Sequence, residues 1–425
     1  MTATLIRNAS QVVTMASGGG PKRGPALADP GAIADGAVLV RDGMIAAVGV
    51  EAAVRAQVRP GEPVEDVDAL GGVVLPGFVD PHTHLVFAGS RPGEFEARLA
   101  QGRSFTDFIK TGGGAMDTVR ATRAATDEEL VDLVLLRLRR IAGWGTTTAE
   151  VKTGYGLTID EEIRHLRVLK AVATRSPIRV VPTALPAHFH PPDPGMSVET
   201  YIDEICSRLI PIAAREGLAT SVDVFHDPTA YSATQVRRII RTAQEHGLAG
   251  RIHADQLVDD GGAALAAELG CLSADHLGHI SPEGIAALAR SDTVGVLIPG
   301  SLFFVPGEKA APVRAMIDAG VAIGVSTDYT PGTSPIVAMP VALTLAMVLL
   351  KLSVAEALAA ATINGAFALG IGGLAGSLEP GKHADLVICE ARDYREIPYR
   401  VGENLVRRVL VGGQTVVERP AVGPL

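Results

Sequence analysis

The sequence predicts an α/β protein: a closed (β/α)8 TIM-like barrel with a small β-sandwich domain formed by both termini. Two observations lead there. The middle of the chain alternates strand-like and helix-like segments, with eight apolar runs that each end in polar residues or glycine. Both ends of the chain carry short β-like runs with hairpin signals between them.

In chain order, β-like runs open the sequence at Ala3 to Arg7, Ala37 to Arg41 and Met44 to Val48, with Asp42-Gly43 as a hairpin turn. The stretch from Met15 to Pro30, rich in Gly and Pro, reads as a mobile loop. Eight runs follow: Val73 to His84, Thr146 to Tyr155, Arg179 to His188, Ser221 to Pro228, Gly250 to Gln256, Leu272 to His279, Thr293 to Ser301 and Ala322 to Thr330. Helix signals separate most of them. Thr126 with Glu129 and Ser353 with Glu356 form capping boxes, and Ser281-Pro282 is an N-cap followed by proline at the first helical position. The apolar stretch Ile336 to Leu352 contains Pro340 and is short for a membrane span, so it reads as a buried helix. The chain closes on Ala384 to Cys389, Leu405 to Val411 and, after Gly412-Gly413, Thr415 to Glu418. The expected division is residues 1–75 and 376–425 in the small composite domain and 76–375 in the barrel. An open doubly wound sheet is the competing topology, and no Gly-rich phosphate loop follows the first strand to support it.

Composition narrows the function. With 425 residues and 47% hydrophobic content the chain can bury a large core. A net charge of -9 with no long run of one sign argues against nucleic acid as a partner. Cys206, Cys271 and Cys389 stand far apart with no CxxC pair, which suits a reducing cytoplasm. The N-terminus does not read as a signal peptide, and no membrane role is expected. A homodimer is the expected oligomer.

A barrel enzyme keeps its chemistry where strands end. Six of the 11 histidines stand at such ends: His82, His84, His188, His226, His253 and His276; Asp227 and Asp328 stand there as well. The spacing of His82 and His84 puts two imidazoles on one side of an extended chain. An HxH pair alone is common by chance; here Asp80-Pro81 precedes it and further candidates follow at later strand ends. With His253 and Asp328 they make a ligand set for one divalent metal, zinc first and iron second. Such a metal makes water a nucleophile at neutral pH, with a carboxylate nearby to take its proton. His276 reads as catalytic or supporting, His190 as a loop residue and His383 as part of a turn.

The chain resembles the imidazolonepropionase family of the amidohydrolase superfamily over nearly its whole length. The resemblance rests on Leu75 to His84 (LPGFVDPHTH), Phe87 to Arg91 (FAGSR), Gly112-Gly113-Gly114, Thr118 to Ala124 (TVRATRA), Glu150 to Leu157 (EVKTGYGL), His253 to Leu257 (HADQL) and Ser273 to Leu277 (SADHL). Thr327-Asp328 leading into Pro331-Gly332-Thr333-Ser334-Pro335 completes it. It implies a mononuclear zinc or iron site on His82, His84, His253 and Asp328, and hydrolysis of imidazolone-5-propanoate to N-formimidoyl-glutamate. Arg91 is then expected to bind the carboxylate arm of a small-molecule substrate, and Tyr155 and His188 to contact the ring or its carbonyl. Gln256 is expected to position water or a ring nitrogen, His276 to polarise the reacting centre, and Asp328 to shuttle the proton. Gly332 and Thr333 add contacts to the arm. A two-metal site needs a bridging lysine near the end of the fourth strand; the chain has none there, and Lys152 lies on the second.

Departures cluster around the expected substrate. Phe105 and Thr330 stand where the family usually has Tyr and Asn, His226-Asp227 replaces Cys-Glu, and Gly278 stands where Glu is often found. They open an alternative: a C2-substituted ring such as 3-(5-oxo-2-thioxoimidazolidin-4-yl)propanoate, from ergothioneine breakdown with sulfide release, its altered edge met by His226. A heterocycle deaminase on the same scaffold is the second enzymatic reading, and a decayed barrel acting as a binding module the non-enzymatic one.

Overall fold

In the computed structural model, which describes residues 3–101 and 113–421, backbone hydrogen bonds gather the strands into two sheets. Phe105 and Gly112 lie outside the described residues. The chain begins in the terminal sheet with β1 (Ala3–Val13), β2 (Ala32–Arg41), β3 (Met44–Val50), β4 (Val64–Asp68) and β5 (Val73–Pro76). It enters the barrel through β6 (Phe78–Asp80), β7 (Thr146–Lys152), β8 (Arg179–Ala187) and β9 (Ser221–Phe225). The barrel continues through β10 (Ala249–Ala254), β11 (Ser273–His276), β12 (Val294–Leu297) and β13 (Ile323–Val325). The end of the chain returns to the first sheet as β14 (Leu386–Cys389), β15 (Val406–Val411) and β16 (Gln414–Glu418).

The terminal sheet runs in the order β16-β15-β14-β5-β1-β2-β3, with β4 beside β1. The β2–β3 turn is made by Asp42 and Gly43, both at positive φ (53° and 76°), the geometry a two-residue hairpin needs. One face packs Ile6, Val38, Val74, Leu386 and Ile388 into a single cluster. Leu386 pairs with Pro76 and Phe78 with Thr146, so the chain passes from one sheet to the other at Gly77.

The eight barrel strands are parallel and lie in chain order from β6 to β13. The seam between the last strand and the first is closed mainly by side chains. Buried Asp80 accepts hydrogen bonds from Ser326 Oγ, Thr327 Oγ1 and the Thr327 amide, while Ser326 Oγ also lies 2.6 Å from the His82 carbonyl. One backbone bond, from His84 N to Tyr329 O (3.1 Å), completes the seam above them. Asp80 therefore ties the first strand to the last directly below the expected ligands. The capping boxes at Thr126 and Ser353 form as the sequence predicts, and Ser232 with Gln235 adds a third. The apolar stretch near residue 340 is the helix Met339–Leu350, and no described helix is long and apolar enough to cross a membrane.

One expectation is corrected. The Gly- and Pro-rich segment after β1 is anchored, not loose. Met15 and Leu27 are fully buried in the main core. Lys22 N donates to Asn364 Oδ1 (2.7 Å), and Asn364 Nδ2 in turn reaches the carbonyls of Lys22 and Ile323. Arg23 donates to the carbonyls of Ser291 and Gly320. Two apolar anchors and a buried amide pin a stretch whose composition alone reads as free.

Candidate metal and substrate site

The C-terminal ends of β6, β10, β11 and β13 bring together the side chains singled out from far-apart stretches of sequence. His82 Nε2 lies 3.2 Å from His84 Nε2, and Asp328 Oδ1 lies 3.8 Å from the first and 3.5 Å from the second. The His253 ring is 4.5 Å from that of His82 and 5.6 Å from that of His84, centroid to centroid. His276 flanks His253 at 5.2 Å, and His188 stacks on His84 at 5.0 Å with the planes 20° apart. Nitrogens and carboxylate oxygens of these residues fall within 4.8 Å of one another in overlapping groups of three. His276 and Asp328 hold positive φ (80° and 49°), a backbone conformation uncommon for non-glycine residues.

Burial sets the charge state of the cluster. It pushes His82, His84 and His276 well below the ordinary imidazole range and His188 to about 3, so these rings are neutral and their lone pairs available. His188 Nδ1 donates to the Gly154 carbonyl (3.1 Å), which leaves Nε2 as its acceptor face. Among the described residues, Nε2 of His253 and Nδ1 of His84 and His276 are buried with no hydrogen-bond partner. Unpartnered buried ring nitrogens beside a buried carboxylate are costly in a polypeptide alone and fit a divalent cation.

A layer of buried charge supports the cluster from inside the barrel. Asp275 Oδ2 lies 2.6 Å from His82 Nδ1, which directs His82 Nε2 toward the other ligands. His253 Nδ1 lies 3.1 Å from Asp223 Oδ2. Lys152 Nζ donates to Glu150 (2.8 Å) and Asp223 (2.7 Å). Burial alone would lower the Lys152 pKa, but Asp223 and Glu150 outweigh it and hold the lysine cationic. A permanently charged amine is the wrong form for a carboxylated bridge between two metals. Arg251 Nη2 donates to the Pro81 carbonyl (2.6 Å) and lies 3.7 Å from Asp275. Asp80, Asp223 and Arg251 each stand two residues before a residue at the site, namely His82, Phe225 and His253. The period of a strand puts such pairs on one face. That spacing is the signal from which this layer could have been read.

Above the cluster is a cavity of about 230 Å³. His84, His188, His253, His276 and Asp328 border it at the metal end. Arg91, Tyr155, Gln256, Thr330 and Thr333 border it elsewhere. Arg91 Nε and Nη1 are buried without a hydrogen bond among the described residues, and Nε lies 3.3 Å from Glu94 Oε2. Tyr155 and Thr330 share a 2.9 Å hydrogen bond, and Thr333 Oγ1 lies 3.4 Å from Asp328 Oδ2.

Two residues expected to contact substrate do not line this cavity. Phe225, not His226, borders the cavity. The His226 ring turns away, with Nδ1 donating to the Tyr231 carbonyl (2.8 Å) and Nε2 3.5 Å from Asp260. Gly332 does not border this cavity either. Its carbonyl accepts from Arg98, and a Cβ there would sit 1.2 Å from Arg91 Nη2, so its lack of a side chain makes room for the guanidinium. Conversely Glu308 and His279 border the cavity, although no motif marks them.

Residues 73–416 match the amidohydrolase family. Curated relatives named imidazolonepropionase match nearly end to end. The protein from Symbiobacterium thermophilum is 46% identical over 419 residues, covering 98% of each chain. That from Chloroflexus aggregans is 43% identical, covering 97% of this chain and 98% of the relative. Among solved structures, a zinc-bound adenosine deaminase from Xanthomonas campestris superposes with a TM-score of 0.71 at 21% identity, covering 98% of this chain and 93% of its own. A 5-methylcytosine deaminase from Klebsiella pneumoniae gives 0.73 at 18%, covering 98% of both chains. At those identities the likeness is one of fold. The chain belongs to the amidohydrolase family and, within it, to the imidazolonepropionases.

Proposed function

We propose that the protein hydrolyses the ring amide of imidazolone-5-propanoate: water adds to the ring carbonyl carbon, the adjoining C–N bond breaks, and N-formimidoyl-glutamate results. The observation that carries this reading is a buried histidine–aspartate cluster and a buried arginine, Arg91, whose Nη1 has no hydrogen bond among the described residues, on one cavity, in a chain 46% identical to a named imidazolonepropionase.

His82, His84, His253 and Asp328 are the residues that would hold a divalent metal, zinc before iron. When bound, such a metal supplies Lewis acidity and an acidified water. Arg91 pairs its guanidinium fork with the propanoate carboxylate, backed by Thr333. Tyr155, Thr330 and His188 hold the ring so that its carbonyl faces His276, whose imidazole hydrogen-bonds the oxygen as negative charge builds there. Asp328 takes the proton lost by the attacking water and returns it to the departing ring nitrogen. Gln256 aligns the ring edge or the water. Burial of these groups excludes bulk water, so their hydrogen bonds act at full strength.

The ring with a C2 substituent would keep the same arm and cluster, but His226, the residue suggested for its altered edge, lies off the cavity wall. The plain ring is therefore the reading advanced. The same reading makes this a cytoplasmic enzyme on a small molecule, working as a homodimer, with residues 76–375 as the catalytic barrel. Sizing chromatography with light scattering tests the dimer.

The decisive experiment is mass spectrometry of products from a panel of five-membered rings bearing a propanoate arm, with metal-loaded protein and with chelator. Gain of one water by the plain imidazolone, abolished by chelator, is expected. Ammonia release with the ring intact, or turnover of the thioxo ring alone with sulfide release, would replace this reading.

A further inference from the structure

The loop after helix Pro299–Phe304 closes one side of the cavity with Val305, Pro306, Gly307 and Glu308. Glu308 is half-buried, and its contacts are specific. Ser301 Oγ, fully buried, lies 2.9 Å from Glu308 Oε1, and the Gln256 side chain also hydrogen-bonds this carboxyl. Both partners are neutral, and no lysine or arginine among the described residues neutralises it. Burial pushes its acid up to about 7. The loop's position depends on a neighbour across the rim. A Cβ at Gly278 would stand 2.5 Å from the Lys309 carbonyl oxygen and 3.5 Å from that of Gln256, so a larger residue there would displace the loop that carries Glu308.

An acidic group on a cavity wall, held by Ser301 and Gln256 and with no cationic partner among the described residues, keeps acceptor capacity for a further N–H donor. The ring of the proposed substrate offers one, because the edge away from its carboxylate arm carries nitrogen. Arg91 supplies the anion-binding part of the cavity and Glu308 is the acidic acceptor on its wall. We propose that Glu308 is a specificity-determining residue that accepts a hydrogen bond from a ring N–H of the substrate, supported by Ser301 and Gln256. This rests on the ring-hydrolase reading above. Rejection of rings lacking the donor follows, because an acceptor left facing a methyl group loses its partner.

The test compares the imidazolone with its ring-N-methyl derivative in metal-loaded wild type, E308A and E308Q. Discrimination is read as kcat/KM where the ring is turned over and as Kd where it is only bound. N-methylation is expected to cost the wild type about 30-fold and either variant no more than about threefold, with the variants' losses on the unmethylated ring falling mainly on KM. Metal content and melting temperature are measured in parallel. If E308A fails to fold, E308Q, which keeps the shape and loses the charge, carries the comparison. Equal discrimination in wild type and variants overturns the Glu308 assignment and leaves the ring-hydrolase reading intact. A wild type that neither binds nor turns over either ring overturns both.

Discussion

The two halves of the site are built differently. The candidate metal half stands on strand ends: His82, His84, His253 and Asp328 are nearly or wholly buried, and His82 and His253 rest on Asp275 and Asp223 of the charge layer that also holds Lys152 and Arg251. The candidate substrate half stands on loops and short helices: Arg91 precedes helix Pro92–Gln101, Thr330 and Thr333 follow β13, and Glu308 lies on the loop after Phe304. A strand end fixed from below by hydrogen bonds can hold atoms to the tolerance a metal demands. A loop tolerates sequence change more readily. The difference teaches why a barrel can keep one chemistry while its substrate changes, and it predicts that the two halves fail differently under mutation.

The largest effect belongs to the strand-end half. His253→Ala removes a ring whose Nε2 is buried without a hydrogen-bond partner among the described residues and whose Nδ1 rests on Asp223. Turnover is expected to fall by more than about 1,000-fold, and bound metal to be lost with it. Metal analysis beside steady-state kinetics reads both. A variant that retains full metal yet has no activity would contradict the ligand role.

Arg91→Ala probes the other half and is expected to lower kcat/KM by about 100-fold, mostly through KM, with metal content unchanged. A substrate whose arm carboxylate is capped as an amide should distinguish wild type from variant far less. Loss of metal on replacing Arg91 would break the comparison, because the two halves would then be one mechanical unit.

What the sequence made legible follows the same division. His82, His84, His253 and Asp328 could be read because titratable residues at the ends of apolar runs are conspicuous, and a barrel brings such ends to one rim. Direction was harder than position. Asp223 and Phe225 share the inward face of β9, so His226, one residue on, falls on the other side and meets Tyr231. Strict use of the period-two rule would have chosen Phe225. Glu308 was not legible at all, because its place depends on how closely a loop approaches Gly278. The Met15 to Pro30 segment misled for a related reason: composition registers glycine and proline but not the Asn364 side chain that pins it.

Asp275→Asn tests the support beneath the strand-end half. It removes the charge that fixes His82 through a 2.6 Å contact, while every candidate ligand stays. Metal affinity or kcat is expected to fall by about 10- to 100-fold, with KM little changed, as read by chelator competition and kinetics. Wild-type metal retention in this variant would show that His82 is oriented by packing alone.

The smallest effect sharpens the contrast between histidines at the rim and a buried histidine elsewhere. His165, on helix Ile159–Ala173, has no accessible surface and no partner for Nδ1 among the described residues, and its Nε2 lies 3.7 Å from Glu161. Burial, helped by Arg164, lowers its pKa to about 3. A histidine depressed in the folded state is protonated first in the unfolded chain, so its contribution is whole above the ordinary pKa near 6.5 and is lost as pH falls toward 3. Between pH 6.5 and 5 that loss is about 2 kcal/mol. His165→Leu should remove it, so that chemical denaturation at pH 7 and pH 5 separates wild type from variant more at the acidic value while activity at pH 7 is retained. Parallel acid dependence in the two proteins would place the lability in the rim histidines instead, and metal loading, which opposes their protonation, would then suppress it.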